Sequence, residues 1–159
     1  MTIAGDPRLE IVQILNLYGF AVDSKQWVLF DRIFTDNVEV WGSQGQHWST
    51  RAFYKAEFAR LHQHFLHMQH AMTNHLVQIE GERATACTYV SWRLIGSGGN
   101  DAPVVHEGSG WYEDELVLLQ FGWRIGSRKA RVHWRRQFVI ATGDTFSLLE
   151  PSLRVAEAY

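Results

Sequence analysis

The chain has 159 residues, a length that suits one domain around one core. Its formal net charge of −2 and pI near 6.4 exclude a whole-molecule field able to gather nucleic acid or a membrane surface. A single cysteine, Cys87, excludes an internal disulfide, fits a reducing compartment and, in an apolar alternating stretch, is expected to be a buried structural thiol.

Asp6 and Pro7 open a first helix, as N-cap and first helical residue. Ile11, Ile14, Leu15, Tyr18 and Val22 then recur at helical spacing, and the helix is predicted to end near Asp23 and Ser24. Ser24 caps a short second helix that buries Trp27, Phe30, Ile33 and Phe34. Alternation predicts a strand over 37–41, a turn over 42–45 and a short strand over 46–48. Ser49 or Thr50 caps a third helix with Tyr54, Phe58, Leu61 and Phe65 on one side, fading around 64–67. From there the period changes from 3.6 to 2. Strands are predicted over 68–80, 83–95, 104–120 and 123–138, with turns at 81–82 and 121–122 and a flexible loop over 96–103.

Three helices with a small hairpin among them, then a four-strand meander, make an α+β domain. Strands of this length must curve, and Gly108, Gly110 and Gly126 are natural bend or bulge points. A curved antiparallel sheet wrapped around N-terminal helices encloses a cone with one open mouth. The abundance of rings, with seven Trp, five Tyr and nine Phe, suits a core that holds a cavity. One domain is expected over 6–141, followed by an irregular tail over 142–159. The first seven residues have neither the basic region nor the apolar run of a signal peptide, and the apolar stretch 116–119 is too short to span a bilayer. A soluble cytoplasmic protein is expected.

The residues that could carry chemistry are few. Asp23 ends a helix, where the dipole gives an acid no support; it is either a solvated helix-end carboxylate or an acceptor for an imidazole N–H. His70 shares a strand face with Met72, Asn74 and Leu76, and is either a satisfied strand residue or a general base working near neutral pH. The run His62, His64, His67, His70 and His75 invites a metal, but helical positions 62 and 64 point about 200° apart, so none is expected. The basic run from Arg124 to Arg136 mostly decorates a solvated face, with Arg128 or Arg131 the candidate to turn inward toward an anionic group.

Tyr18 to Asp23, His70 to Asn74, and Gly110 to Asp114 followed by Gly122 to Ile125 form an ordered set. That set resembles the SnoaL-like branch of the nuclear transport factor 2-like superfamily over about residues 8–138. The nearest likeness is to scytalone dehydratase, bile-acid 7-alpha-dehydratase and hexachlorocyclohexane dehydrochlorinase. The resemblance implies the cone fold and a catalytic role for an Asp23–His70 pair, with the carboxylate fixing the tautomer of the base. It implies Tyr18 as the acid at a leaving oxygen. The dehydrochlorinase has a lysine at the place of Tyr18 and an arginine on the strand matching 115–119. This sequence has neither, which puts dehydration or isomerisation ahead of halide elimination. Trp41, Asn74, His106, Tyr112 and Arg131 make up the expected substrate-binding set. The expected function is a cofactor-independent lyase or isomerase on a small hydrophobic ring or polyketide-like compound; the alternative is a non-catalytic binding or protein-association module. Alternation gives the long strands a second apolar face, with Val105, Trp111, Val117 and Leu119 on one strand and Val90, Trp92 and Leu94 on another, and a patch of that size predicts self-association. The resemblance implies a homotrimer, with a dimer as the other common form.

Overall fold

The computed structural model describes residues 5–98 and 102–141. The expected tail over 142–159 and part of the 96–103 loop lie outside the described residues. Helix α1 spans Pro7–Asp23, with Asp6 Oδ1 accepting from the Arg8 N–H at 2.9 Å. A single 3₁₀ turn, Trp27–Leu29, leads into α2, Phe30–Ile33. Strands β1 (Phe34–Trp41) and β2 (His47–Trp48) form a hairpin, and α3 spans Arg51–His62, capped by Thr50 Oγ1. Four long strands follow: β3, Phe65–Glu80; β4, Arg83–Ser97; β5, Pro103–Leu119; and β6, Gly122–Val139.

The six strands form one sheet in the order β2-β1-β6-β5-β4-β3. The meander β3 to β6 is antiparallel, as its alternation predicts. β1 joins it in parallel alongside β6, pairing Val40 with Arg128 and Trp41 with Lys129. The sheet is therefore curved and open, with β2 and β3 as its edges, and the parallel β1–β6 pair makes it mixed where an antiparallel sheet was expected. Three helices on one face of this curved sheet complete an α+β cone. Among the described residues no helix is long and apolar enough to cross a membrane.

The core lies between helices and sheet. Ile11, Leu15, Tyr18 and Val22 of α1 meet Phe30, Phe34 and Tyr54, all 2% exposed or less. Their rings pack at centroid distances such as 5.2 Å for Phe30–Phe34 and 5.3 Å for Phe34–Tyr54, in the range where tilted and edge-on pairs attract. Val90 is buried, and Trp92 and Leu94 pack against the same core, so this face of β4 lines the cone and cannot be an outer patch. Val105, Trp111, Val117 and Leu119 lie on the other face of β5. Cys87 is only half-buried on the outer face of β4, because its neighbours Ala86 and Thr88 take the inward positions.

Three irregularities decide which side chains enter the cone. The β3–β4 register shifts between Thr73 and Leu76, where Asn74 takes a left-handed conformation (φ 51°) that asparagine tolerates better than most residues. The β5–β6 register shifts at Gly126 and again opposite Ser109 and Gly110. Each extra residue reverses the alternation beyond it.

Candidate active site

Helix α1 is tied to β3 at both ends. Arg8 Nη1 donates to the Val77 carbonyl at 2.7 Å near its start, and Asp23 reaches β3 at its end. Asp23 Oδ2 accepts from the His70 backbone N–H at 2.8 Å, and Oδ1 lies 2.6 Å from His70 Nδ1. The pair is shielded, with side-chain exposures of 7% for His70 and 15% for Asp23. A carboxylate can only accept, so the proton sits on Nδ1 and the lone pair on Nε2. Gly19 makes the close approach possible. A Cβ there would lie 3.1 Å from Met72 Cγ and 3.5 Å from the His70 carbonyl oxygen.

Beside the pair, three tyrosines surround a buried arginine. The Tyr18 ring lies edge-on to His70 at 6.5 Å and edge-on to Tyr112 at 5.5 Å. Tyr18 and Tyr54 share a hydroxyl–hydroxyl contact of 3.2 Å. Burial, and then the neighbouring Tyr54, push the Tyr18 phenol well above its usual pKa; burial and Tyr18 do the same to Tyr112. Both remain phenols, able to donate. Arg128 Cζ lies 4.3 Å from each of the Tyr18 and Tyr112 ring centroids, held between their faces. Its Nε and Nη2 donate to the two oxygens of Asp114 at 2.7 and 2.8 Å. Burial opposes the arginine's charge, yet Asp114 outweighs it and raises its pKa. Arg128 Nη1 is buried and has no hydrogen-bond partner among the described residues.

Asp23, His70, Tyr18 and Tyr112 thus come together, and His106 lines the same inner face at the mouth, with its ring 5.4 Å from Phe65. Burial, and then His64, lower the pKa of His106. Three residues of the expected substrate-binding set fall elsewhere. Asn74 is exposed, because the bulge it forms turns its neighbour His75 inward to Thr88 in its place. Trp41 lies on the outer face, 37% exposed and stacked on His47 at 5.2 Å, because Val38 and Val40 hold the inward positions of β1. Arg131 is exposed and paired with Glu113, because the bulge at Gly126 sends Arg128 inward instead.

The sequence pattern pointed to no basic group near Tyr18 on 115–119; the next strand supplies one. His62 was also missed as a site residue, although its spacing of four from Phe58 and eight from Tyr54 puts it on the aromatic side of α3. Its Nδ1–H donates to the Phe58 carbonyl at 2.7 Å. Burial first, with His70, His64 and Lys25 adding to it against that hydrogen bond, pushes its pKa down to about 4.

The model of the SnoaL-like domain matches residues 6–129. The chain belongs to the SnoaL-like family. Its helices and open mixed sheet form the nuclear transport factor 2-like cone. Among solved structures, a Kribbella flavida protein is similar to this SnoaL-like chain at 24% identity and a TM-score of 0.76, covering 81% of this chain and 92% of its own. A putative scytalone dehydratase from Novosphingobium aromaticivorans is similar at 16% identity and TM-score 0.71, covering 91% of each chain. A type 2 hexachlorocyclohexane dehydrochlorinase is similar at 15% identity and TM-score 0.71, covering 92% of this chain and 95% of its own. At these identities the likeness fixes the fold alone. Among curated proteins, none matches the SnoaL-like chain.

Proposed function

We propose that this SnoaL-like protein is a cofactor-independent lyase that eliminates water from a small hydrophobic ring or polyketide-like compound. The observation that carries this reading is Asp23 holding His70 by ring and backbone together, which leaves Nε2 as an oriented base beside buried phenols. In the proposed step Nε2 removes a proton from the carbon next to a carbonyl. The C–H electron pair forms the new double bond as the bond to the β-hydroxyl breaks. Tyr18 donates its phenolic proton to the departing oxygen, which leaves as water, and recovers a proton from the imidazolium at the end of the cycle. Asp23 stabilises that imidazolium while it exists. Arg128 Nη1 is the one donor of the guanidinium without a partner, and a substrate carbonyl oxygen reaching it would gain charge as the proton leaves. Phe58 and Trp92, only partly buried where they pack on the aromatic core, would be the rings that an apolar substrate meets.

The test is direct. The purified protein is given a panel of cyclic β-hydroxy ketones, and conjugated enone is followed by its absorbance. Turnover is expected for the wild type, with a loss of about a hundredfold or more in His70→Ala. Equal turnover in both proteins would overturn the reading.

A further inference from the structure

A cavity lies on the opposite face of the sheet, away from the Asp23–His70 pair. Its volume is about 870 Å³, within the range of small-molecule sites. Its floor is a row that crosses the strands in register: Ser127, Glu115, Thr85 and Gln78, with Thr35 of β1 beside Gly126. Three features of its lining point to a ligand. Thr35 is 9% exposed, and its hydroxyl has no hydrogen-bond partner among the described residues. A buried hydroxyl in that state lacks the oxygen or water it would normally bind. Val117, Leu119 and Phe121 supply an apolar wall at the β5–β6 turn, where Leu119 is 47% and Phe121 80% exposed. The third feature is Arg124.

Among the described residues Arg124 has no carboxylate partner; its Nη1 donates to the Phe121 and Trp123 carbonyls at 3.2 and 2.7 Å. Nε and Nη2 are left, the side-on pair of donors that matches the two oxygens of a carboxylate. Arg51 lines the same cavity, but Asp31 and Asp36 already neutralise it at 3.1 and 2.6 Å. Burial, and then the charges of Arg32 and Arg51, lower the pKa of Arg124. Glu80, in β3 at the far side of the row, repels an anion from that end and orients it.

We propose that this trough is a second small-molecule site that takes an apolar carboxylate, its acid group shared between Arg124 and the Thr35 hydroxyl and its chain on Val117, Leu119 and Phe121. The site is independent of the proposed chemistry at His70. Calorimetric titration with decanoate and with decan-1-ol tests it. Decanoate binds the wild type and His70→Ala equally, one per chain, and decan-1-ol binds roughly tenfold more weakly or worse. Arg124→Gln weakens decanoate by roughly tenfold or more, and Thr35→Val, which keeps the shape of the side chain, by several-fold. No uptake of decanoate by the wild type overturns the proposal, as does binding unchanged in both variants. Loss in His70→Ala with retention in Arg124→Gln places the ligand in the cone and overturns it equally.

Discussion

Asp23 makes two hydrogen bonds with different purposes, and substitution can separate them. Asp23→Asn can still accept at His70 but no longer stabilises its protonated ring. Turnover of a β-hydroxy ketone is expected to fall in Asp23→Asn nearly as far as in His70→Ala, with thermal stability largely kept. A stable variant with wild-type turnover would remove Asp23 from the chemistry. Asp114 is different, because its removal leaves Arg128 charged and unpaired in the core. Asp114→Ala is expected to cost about 3–5 kcal/mol in urea unfolding at neutral pH. His62 adds a pH dependence of known sign. Folded, it titrates near 4, against 6.5 for an ordinary histidine. Below 6.5 the unfolded chain therefore binds a proton that the folded chain refuses. The contribution is complete above pH 6.5 and is lost as pH falls toward 4; at pH 5 the loss is about 2 kcal/mol. Measured by urea unfolding at pH 7.5 and 5, the wild type should lose about 2 kcal/mol more stability on acidification than His62→Phe. Parallel pH dependences would contradict it.

Elements, more than residues, decide how precisely the site is held. Gly19 lets α1 settle on β3, so the two ends of the Asp23–His70 contact belong to different elements. Gly19→Ala needs only a small shift of Met72 and gains helix propensity, so it should be near neutral. Gly19→Val pushes the helix from the strand at a cost of about 1–3 kcal/mol, and turnover should fall further than stability alone explains. Thermal unfolding and kinetics on the same samples check this. The same scale shows what was legible in the sequence. The ends of α1 were, because Asp6 and Ser24 act through local hydrogen bonds and Pro7 through its fixed φ. The long strands were, because their alternation is local too. The parallel partner of β1 was not, since nothing near Phe34 or Trp41 encodes a neighbour in β6. Nor was the inward face beyond a bulge. One extra residue at Asn74 exchanges Asn74 for His75, and one at Gly126 exchanges Arg131 for Arg128. The Asp23 and His70 contact was anticipated because both precede these shifts in phase.

At the scale of the molecule, β6 is half covered. Among the described residues β1 pairs with it only as far as Lys129, and beyond that Val132, Trp134, Phe138 and Val139 are 37–58% exposed along an edge that no described strand covers. A second copy covering this region would remove both the apolar surface and the edge. Light scattering at micromolar concentration should therefore give a mass of two or three chains, and a particle of 18.3 kDa would refute self-association. The parallel pairing of β1 with β6 has a temporal consequence as well. Phe34 meets Ile125, a partner that the ribosome adds roughly ninety residues later. At ordinary synthesis rates that is a wait of roughly 5–20 seconds. Until then Phe30, Phe34 and Tyr54 have no sheet to close over them, so the nascent chain carries its stickiest surface for most of its own making. A chaperone that favours aromatic segments would find its longest opportunity there, and would lose it once β6 emerges.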